Sequence, residues 1–225
     1  MCRMAAFSSS NDICIAEVFN KVSVMAEHGR GAPHDDGYGL VILSNFEKFE
    51  YKSTKPIYED VDFKMLCEKF HGEIGIVHAR KASPGIPVGL QQLHPFYIEG
   101  RYLAHNGTIK DANKANLFQS DTYHFFLSIH NFKDFEGLLN NVKKYVEVHD
   151  FTGINFLLLD ELDKSLYVGC IYTGDSEYFT LYYKVDKTGF FVYSQEDVDD
   201  SLVPMENGQI FRVRNGEIIE EGRVF

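Results

Sequence analysis

Apolar residues recur along this chain with two different periods, and the change from one to the other divides it. Over residues 15–25 they fall at Ile15, Val18, Phe19, Val22 and Met25, the spacing of one face of an α-helix. Asn11 or Asp12 stands ahead of that stretch as a candidate cap, and Gly29 can end it. Apolar runs of strand length occupy 39–44, 73–78 and 102–105, with a partner strand for the first at 46–52 and a short helix at 61–70. Two helical stretches lie between Asp121 and His149. The second sets Phe135, Leu138, Leu139, Val142, Tyr145 and Val146 on one face. The last third reads as strands at 155–159, 166–172, 179–185, 190–194 and 210–214, with hairpin signals at 186–189 and at Asn215-Gly216.

Helices in the first two-thirds followed by a β-meander predict an antiparallel α+β protein. Two sheets packed face to face with helices outside accommodate this many strands. The late strands leave no room for the crossover helices that a doubly wound parallel sheet needs. No linker, repeat or low-complexity segment interrupts the pattern, so one domain over 1–225 is expected.

Charge and cysteine usage narrow the class. A net charge of −11 over 225 residues is the wrong sign for a nucleic-acid or anionic-membrane partner. No apolar run approaches a membrane span, and the first thirty residues lack the pattern of a signal peptide. Cys2, Cys14, Cys67 and Cys170 are scattered, with no paired spacing of a zinc site. Together these features predict a cytoplasmic protein with free thiols, in which Cys14, Cys67 and Cys170 are small core residues.

Cys2 carries a different possibility. Removal of Met1 leaves a thiol and a free α-amine on one residue, with ordinary pKa values of about 8.5 and about 7.7–8.0. The amine can then serve as the base that activates the sulfur. An early residue of a buried strand has the same appearance. Other segments have the composition of a site. Arg80, in His78-Ala79-Arg80-Lys81-Ala82-Ser83, can hold a carboxylate with its guanidinium fork or form a surface ion pair. Asn106 and Gly107 can converge two N–H groups on one oxygen or make a hairpin turn. Asp121 can bind an ammonium or cap the helix that follows. His28, His34, Asp35 and Asp36 suggest metal ligands, but no second cluster accompanies them, so no metal is expected.

In their order along the chain these segments resemble one family. Cys2-Arg3-Met4, Asp36-Gly37-Tyr38-Gly39, His78 to Ser83, His94-Pro95-Phe96, His105-Asn106-Gly107-Thr108-Ile109 and Ser120-Asp121-Thr122 are similar to the motifs of class II glutamine amidotransferases. These are N-terminal-nucleophile hydrolases, and the stand-alone branch with YafJ-like and EgtC-like proteins and a glutathione-degradation subunit is the nearest in pattern. The resemblance implies an αββα four-layer sandwich of two antiparallel sheets. It implies that Cys2 is the nucleophile with its own amine as base, and that Asn106 and Gly107 form the oxyanion pair. Arg80, Asp121 and His94 are implied as substrate-binding residues, the first for a glutamine α-carboxylate and the second for its α-ammonium. The implied reaction is hydrolysis of the glutamine γ-amide through a thioester, with ammonia passed to an acceptor or a partner synthase subunit. No cofactor is implied. Tyr38, where the family commonly has Trp, and Leu93, where it commonly has Thr, depart from the pattern at pocket walls or turns. Lys81 and Pro84 stand where synthase-linked relatives carry other residues. Alternatives are a free-standing hydrolase of γ-glutamyl peptides or conjugates, a non-catalytic glutamine-binding module, and a Cys–His thiol protease using His78, His94 or His105.

Overall fold

Strict alternation of inward and outward side chains gives the strands two apolar faces each, and the architecture follows from burying both. The computed structural model describes residues 2–45, 47–82, 88–110, 120–195 and 199–225. Met1, Phe46, Ser83 and Pro84, which figure in the expectations above, lie outside them. The first half contains β1 (Arg3–Cys14), α1 (Ala16–His28), β2 (Tyr38–Leu43), β3 (Lys48–Ser53), α2 (Val61–Leu66), β4 (His71–Ala79), β5 (Phe96–Ile98) and β6 (Arg101–Ile109). Then come α3 (Asp121–Ile129), α4 (Phe135–Val148), β7 (Phe151–Asp160), β8 (Ser165–Cys170) and α5 (Ser176–Phe179). The chain closes with β9 (Tyr182–Asp186), β10 (Gly189–Tyr193), β11 (Val203–Pro204), β12 (Gln209–Arg214) and β13 (Glu217–Arg223).

One sheet has the order β11-β9-β10-β1-β4-β2-β3 and the other β13-β12-β8-β7-β6-β5. The strands pair antiparallel throughout. Met4, Ala6, Val41, Ile74 and Ile76 of the first sheet meet Tyr102, Ala104, Leu157, Leu159 and Val168 of the second in a central core. The opposite face of the first sheet, with Ala5, Phe7, Leu40 and Val77, packs on Val18, Phe19 and Val22 of α1 and Phe63 of α2. Leu103, Ile154, Phe156 and Leu158 of the second sheet pack on Phe125 and Phe126 of α3 and Leu138 and Val142 of α4. The result is an αββα sandwich. Among the described residues no helix is long and apolar enough to cross a membrane.

Several expectations need correction. β1 runs through Asn11 and Asp12 to Cys14, so neither caps α1; its N-terminal neighbour Ile15 has no side-chain cap bond. Cys14 is exposed, because β1 shifts register between Ser8 and Ile13 and its far end leaves the core. Its thiol lies 3.7 Å from the Cys67 carbonyl oxygen. The last third is not one meander. β9 and β10 join the first sheet, β8, β12 and β13 the second, and Phe179, expected to open a strand over 179–185, instead ends α5, with β9 beginning at Tyr182. The hairpin signals hold: β9 turns into β10, and Asn215 (φ 51°) and Gly216 (φ 83°) turn β12 into β13.

Candidate active site

The alternation that builds the central core also assembles a polar site at its end. In β1 Met4 and Ala6 face the second sheet, and the same phase carries Cys2 to the edge of the gap. In β6 Tyr102 and Ala104 face the first sheet, and the same phase carries Asn106 toward Cys2. The Cys2 backbone nitrogen donates to Asn106 Oδ1 at 2.9 Å. That nitrogen is a peptide N–H while Met1 is attached and an α-amine once Met1 is removed. Asn106 is fully buried, and its Nδ2 has no partner among the described residues. An amide whose oxygen holds the Cys2 nitrogen while its N–H groups stay uncommitted could donate to an oxygen that gains charge beside the sulfur.

The Cys2 thiol is buried too, with Sγ 3.8 Å from the Lys81 carbonyl oxygen. Burial pushes the thiol above its ordinary value; Asp121 adds to that effect and Arg80 opposes it. Arg80 is buried just past the end of β4, not on the surface. Its backbone N–H donates to Gly37 at 2.8 Å, its carbonyl accepts from Asp36 at 3.1 Å, and the Asp36 carboxylate accepts from Ala82 at 2.7 Å. The turn at Gly37 thus fixes where Arg80 leaves the sheet.

Asn106 and Gly107 lie inside β6 rather than in a hairpin turn. Gly107 has φ +150°, and a Cβ there would sit 1.8 Å from the Gly153 carbonyl oxygen on the paired strand. That contact is backbone on backbone, so Gly107→Ala is expected to cost about 3 kcal/mol or more of stability, read as a lowered denaturation midpoint. Ser120, not Asp121, caps α3 by accepting from Tyr123. The Asp121 carboxylate instead accepts from the backbone N–H groups of Ile109 and Thr122, each at 2.9 Å, and joins β6 to the helix start.

Cys2, Arg80, His94, Gly107 and Asp121 line one cleft, and Asn106 lies beside it on the Cys2 nitrogen. Lys81, Gln92 and Thr122 line it as well, though the sequence pattern gave them no separate role, and so does His105, considered above only as a protease histidine. Arg3 was visible only as part of a motif. It is 1 % exposed, bonds the Ser194 carbonyl at 2.9 Å and the Arg30 carbonyl, and lies 4.6 Å over the Tyr178 ring. The Tyr178 hydroxyl lies 3.3 Å from His34 Nε2. Tyr38, read above as a pocket-wall or turn residue, faces the outer core and donates to Asp60 at 3.0 Å. Among the described residues no histidine is hydrogen-bonded to the Cys2 thiol, although His94 and His105 line the same cleft. No group of three or more His, Cys, Asp or Glu side chains among them is placed to hold a metal ion.

No protein-family model matches the sequence, and no curated protein does. Solved structures do match. An allosteric regulatory enzyme of purine biosynthesis superposes with a TM-score of 0.71 at 18 % identity, over 100 % of this chain and 49 % of its own. Glutamine phosphoribosylpyrophosphate amidotransferase from B. subtilis gives 0.70 at 19 %, with the same coverage. The chain therefore spans about half the length of these two. A glutamine aminotransferase class-II domain protein from Silicibacter pomeroyi gives 0.65 at 15 %, over 99 % of both chains. At these identities the likeness is one of fold, and the shared fold is the αββα sandwich of two antiparallel sheets described above.

Proposed function

We propose that the protein, with Met1 removed, hydrolyses the γ-amide of glutamine as a class II glutamine amidotransferase. The Cys2 sulfur attacks the γ-carbonyl carbon while the α-amine takes the thiol proton. That proton passes to the leaving nitrogen as the C–N bond breaks, which releases ammonia and leaves a γ-glutamyl thioester. Water then cleaves the thioester to glutamate and restores the thiol. Ammonia goes on to an acceptor or a partner subunit. The observation that carries this reading is the Asn106 side chain, with its oxygen on the Cys2 nitrogen and its buried Nδ2 unpartnered. Gly107 is assigned as the second oxyanion donor, Arg80 to the substrate α-carboxylate, Asp121 to its α-ammonium, and His94 to substrate contact.

A cysteine thiol with its ordinary pKa of about 8.5 is mostly protonated near neutrality, so the base must act during attack. The neutral amine is the active form, and turnover is expected to rise with pH through about 7.7–8.0 and to fall below it. A glutamine-mimicking diazoketone tests the assignment. Peptide mapping should place the label on Cys2 of a protein whose intact mass shows Met1 gone. Ammonia release by protein that retains Met1, or labelling elsewhere, would overturn it.

A further inference from the structure

β5 is only three residues long, and the way the chain compensates fixes the chemistry of His94. Phe96 pairs with Leu103, Tyr97 with Tyr102 and Ile98 with Arg101, so continuing the register two rungs further, past Pro95 and Ala104, would join His94 to His105. At that rung a side chain replaces the backbone. The His105 N–H donates to His94 Nδ1 at 3.4 Å. A backbone N–H is always a donor, so His94 Nδ1 must be the unprotonated nitrogen. His78 Nε2 lies 3.0 Å from the same atom and 3.3 Å from the His105 carbonyl oxygen. Facing two acceptors, His78 Nε2 must carry a hydrogen, and the buried His78 Nδ1 is left without a partner. The His94 ring lies 4.3 Å from the His78 ring and 4.8 Å from that of Phe96, and both histidines are buried. Gly39 permits this packing, because a Cβ there would stand 2.2 Å from the His94 carbonyl oxygen.

We infer that His78 and the His105 peptide lock His94 as a neutral ring with hydrogen on Nε2 alone, so that the cleft receives a fixed hydrogen-bond donor there. His78 is then a positioning residue, and His94 gives its Nε2–H to an acceptor atom of a γ-glutamyl substrate. The tautomer follows from geometry alone, while the substrate contact rests on the function proposed above. A second proton on His94 would place Nδ1–H against two other N–H groups. Its basicity is accordingly depressed, first by burial and then by the charges of neighbouring His78, His105, Lys52 and Arg80.

Ring-nitrogen NMR of the unmodified, histidine-labelled protein tests the lock directly. His94 should show a bare Nδ1 and a protonated Nε2, unchanged between pH 5.5 and 8. A protonated Nδ1, or a tautomer mixture, would overturn the inference. His78→Leu leaves the His105 N–H in place but removes the second N–H that faces Nδ1, so some Nδ1–H tautomer of His94 should appear and KM for glutamine should rise about twofold, with kcat less affected. His78→Gln, which restores an N–H in the place of Nε2, should recover both readouts. His94→Leu, which removes the donor altogether, should raise KM about tenfold, and His94→Gln should restore it. A KM indifferent to these changes, with the tautomer as stated, would remove the substrate contact. Absence of turnover on every γ-glutamyl compound by unmodified protein would instead defeat the proposed function and leave the tautomer result standing.

Discussion

Cys2→Ala is expected to abolish ammonia release from glutamine, and Asn106→Ala to lower it about 10²–10³-fold, the usual result of deleting one oxyanion donor. The two results are expected to differ in kind. Alanine at position 2 is still small enough for Met1 removal and leaves the amine in place, but it has no atom that can form the thioester. At position 106 the nucleophile survives, and both partners of the side chain are lost: the acceptor for the Cys2 nitrogen at 2.9 Å and the uncommitted Nδ2. Asn106→Asp separates these functions. It keeps an acceptor and removes the donor, so turnover should fall as far as in the alanine variant. The added negative charge beside the amine should also raise its pKa and move the pH limb upward. Equal residual activity in Cys2→Ala and unmodified protein would end the thioester mechanism. An Asn106→Asp protein with normal turnover would remove Asn106 from the oxyanion site.

The second large effect is on stability in mild acid. Burial pushes His34 and His78 down to about 3, and lowers His94 and His105 as well. A free histidine takes up its proton near pH 6.5. Below that pH the unfolded chain therefore binds protons that the folded chain refuses, and stability falls; above it these groups contribute nothing to the slope. Each such histidine costs about 1.4 kcal/mol per pH unit between about 6.5 and its folded value. Two of them remove about 5 kcal/mol by pH 4.5, comparable with the whole stability of many domains. Carboxylates do not confuse this window. Asp199, held down mainly by its bond from Lys184, gives up its contribution only below the ordinary carboxylate range. Urea titrations at pH 7, 6 and 5 should show midpoints that fall steadily, with a shallower fall in His34→Gln. Equal midpoints at all three would contradict the buried neutral histidines.

How far the sequence disclosed this molecule depends on whether a local pattern or a distant partner decides the outcome. Phe135 to Val146 needed only its own helical period, and α4 lies where that period predicts it. Asn106-Gly107 has the local chemistry of a turn, yet β7 pairs with it residue for residue and keeps it extended. The late strands looked like a meander because each has the right alternation. Nothing local says that β9 and β10 seek β1 while β12 seeks β8. Cys14 looked like a core residue among apolar neighbours, and only the register shift in β1 turns it outward. Within the cleft, Arg80 and Asp121 were legible as charged residues at element ends. Thr122 was not, because its 2.8 Å bond to His105 matters only once β6 and α3 are brought together.

The position of β1 in its sheet sets a timetable for maturation. β1 lies between β4 and β10, so its second edge closes only when residues 189–193 have been synthesised. At ordinary translation rates that is about ten seconds after β4 is complete. Throughout that interval the start of the chain is open to an aminopeptidase working beside the ribosome. In the finished sandwich Cys2 is only 9 % exposed. For the nucleophile proposed above, that interval is the expected time of Met1 removal.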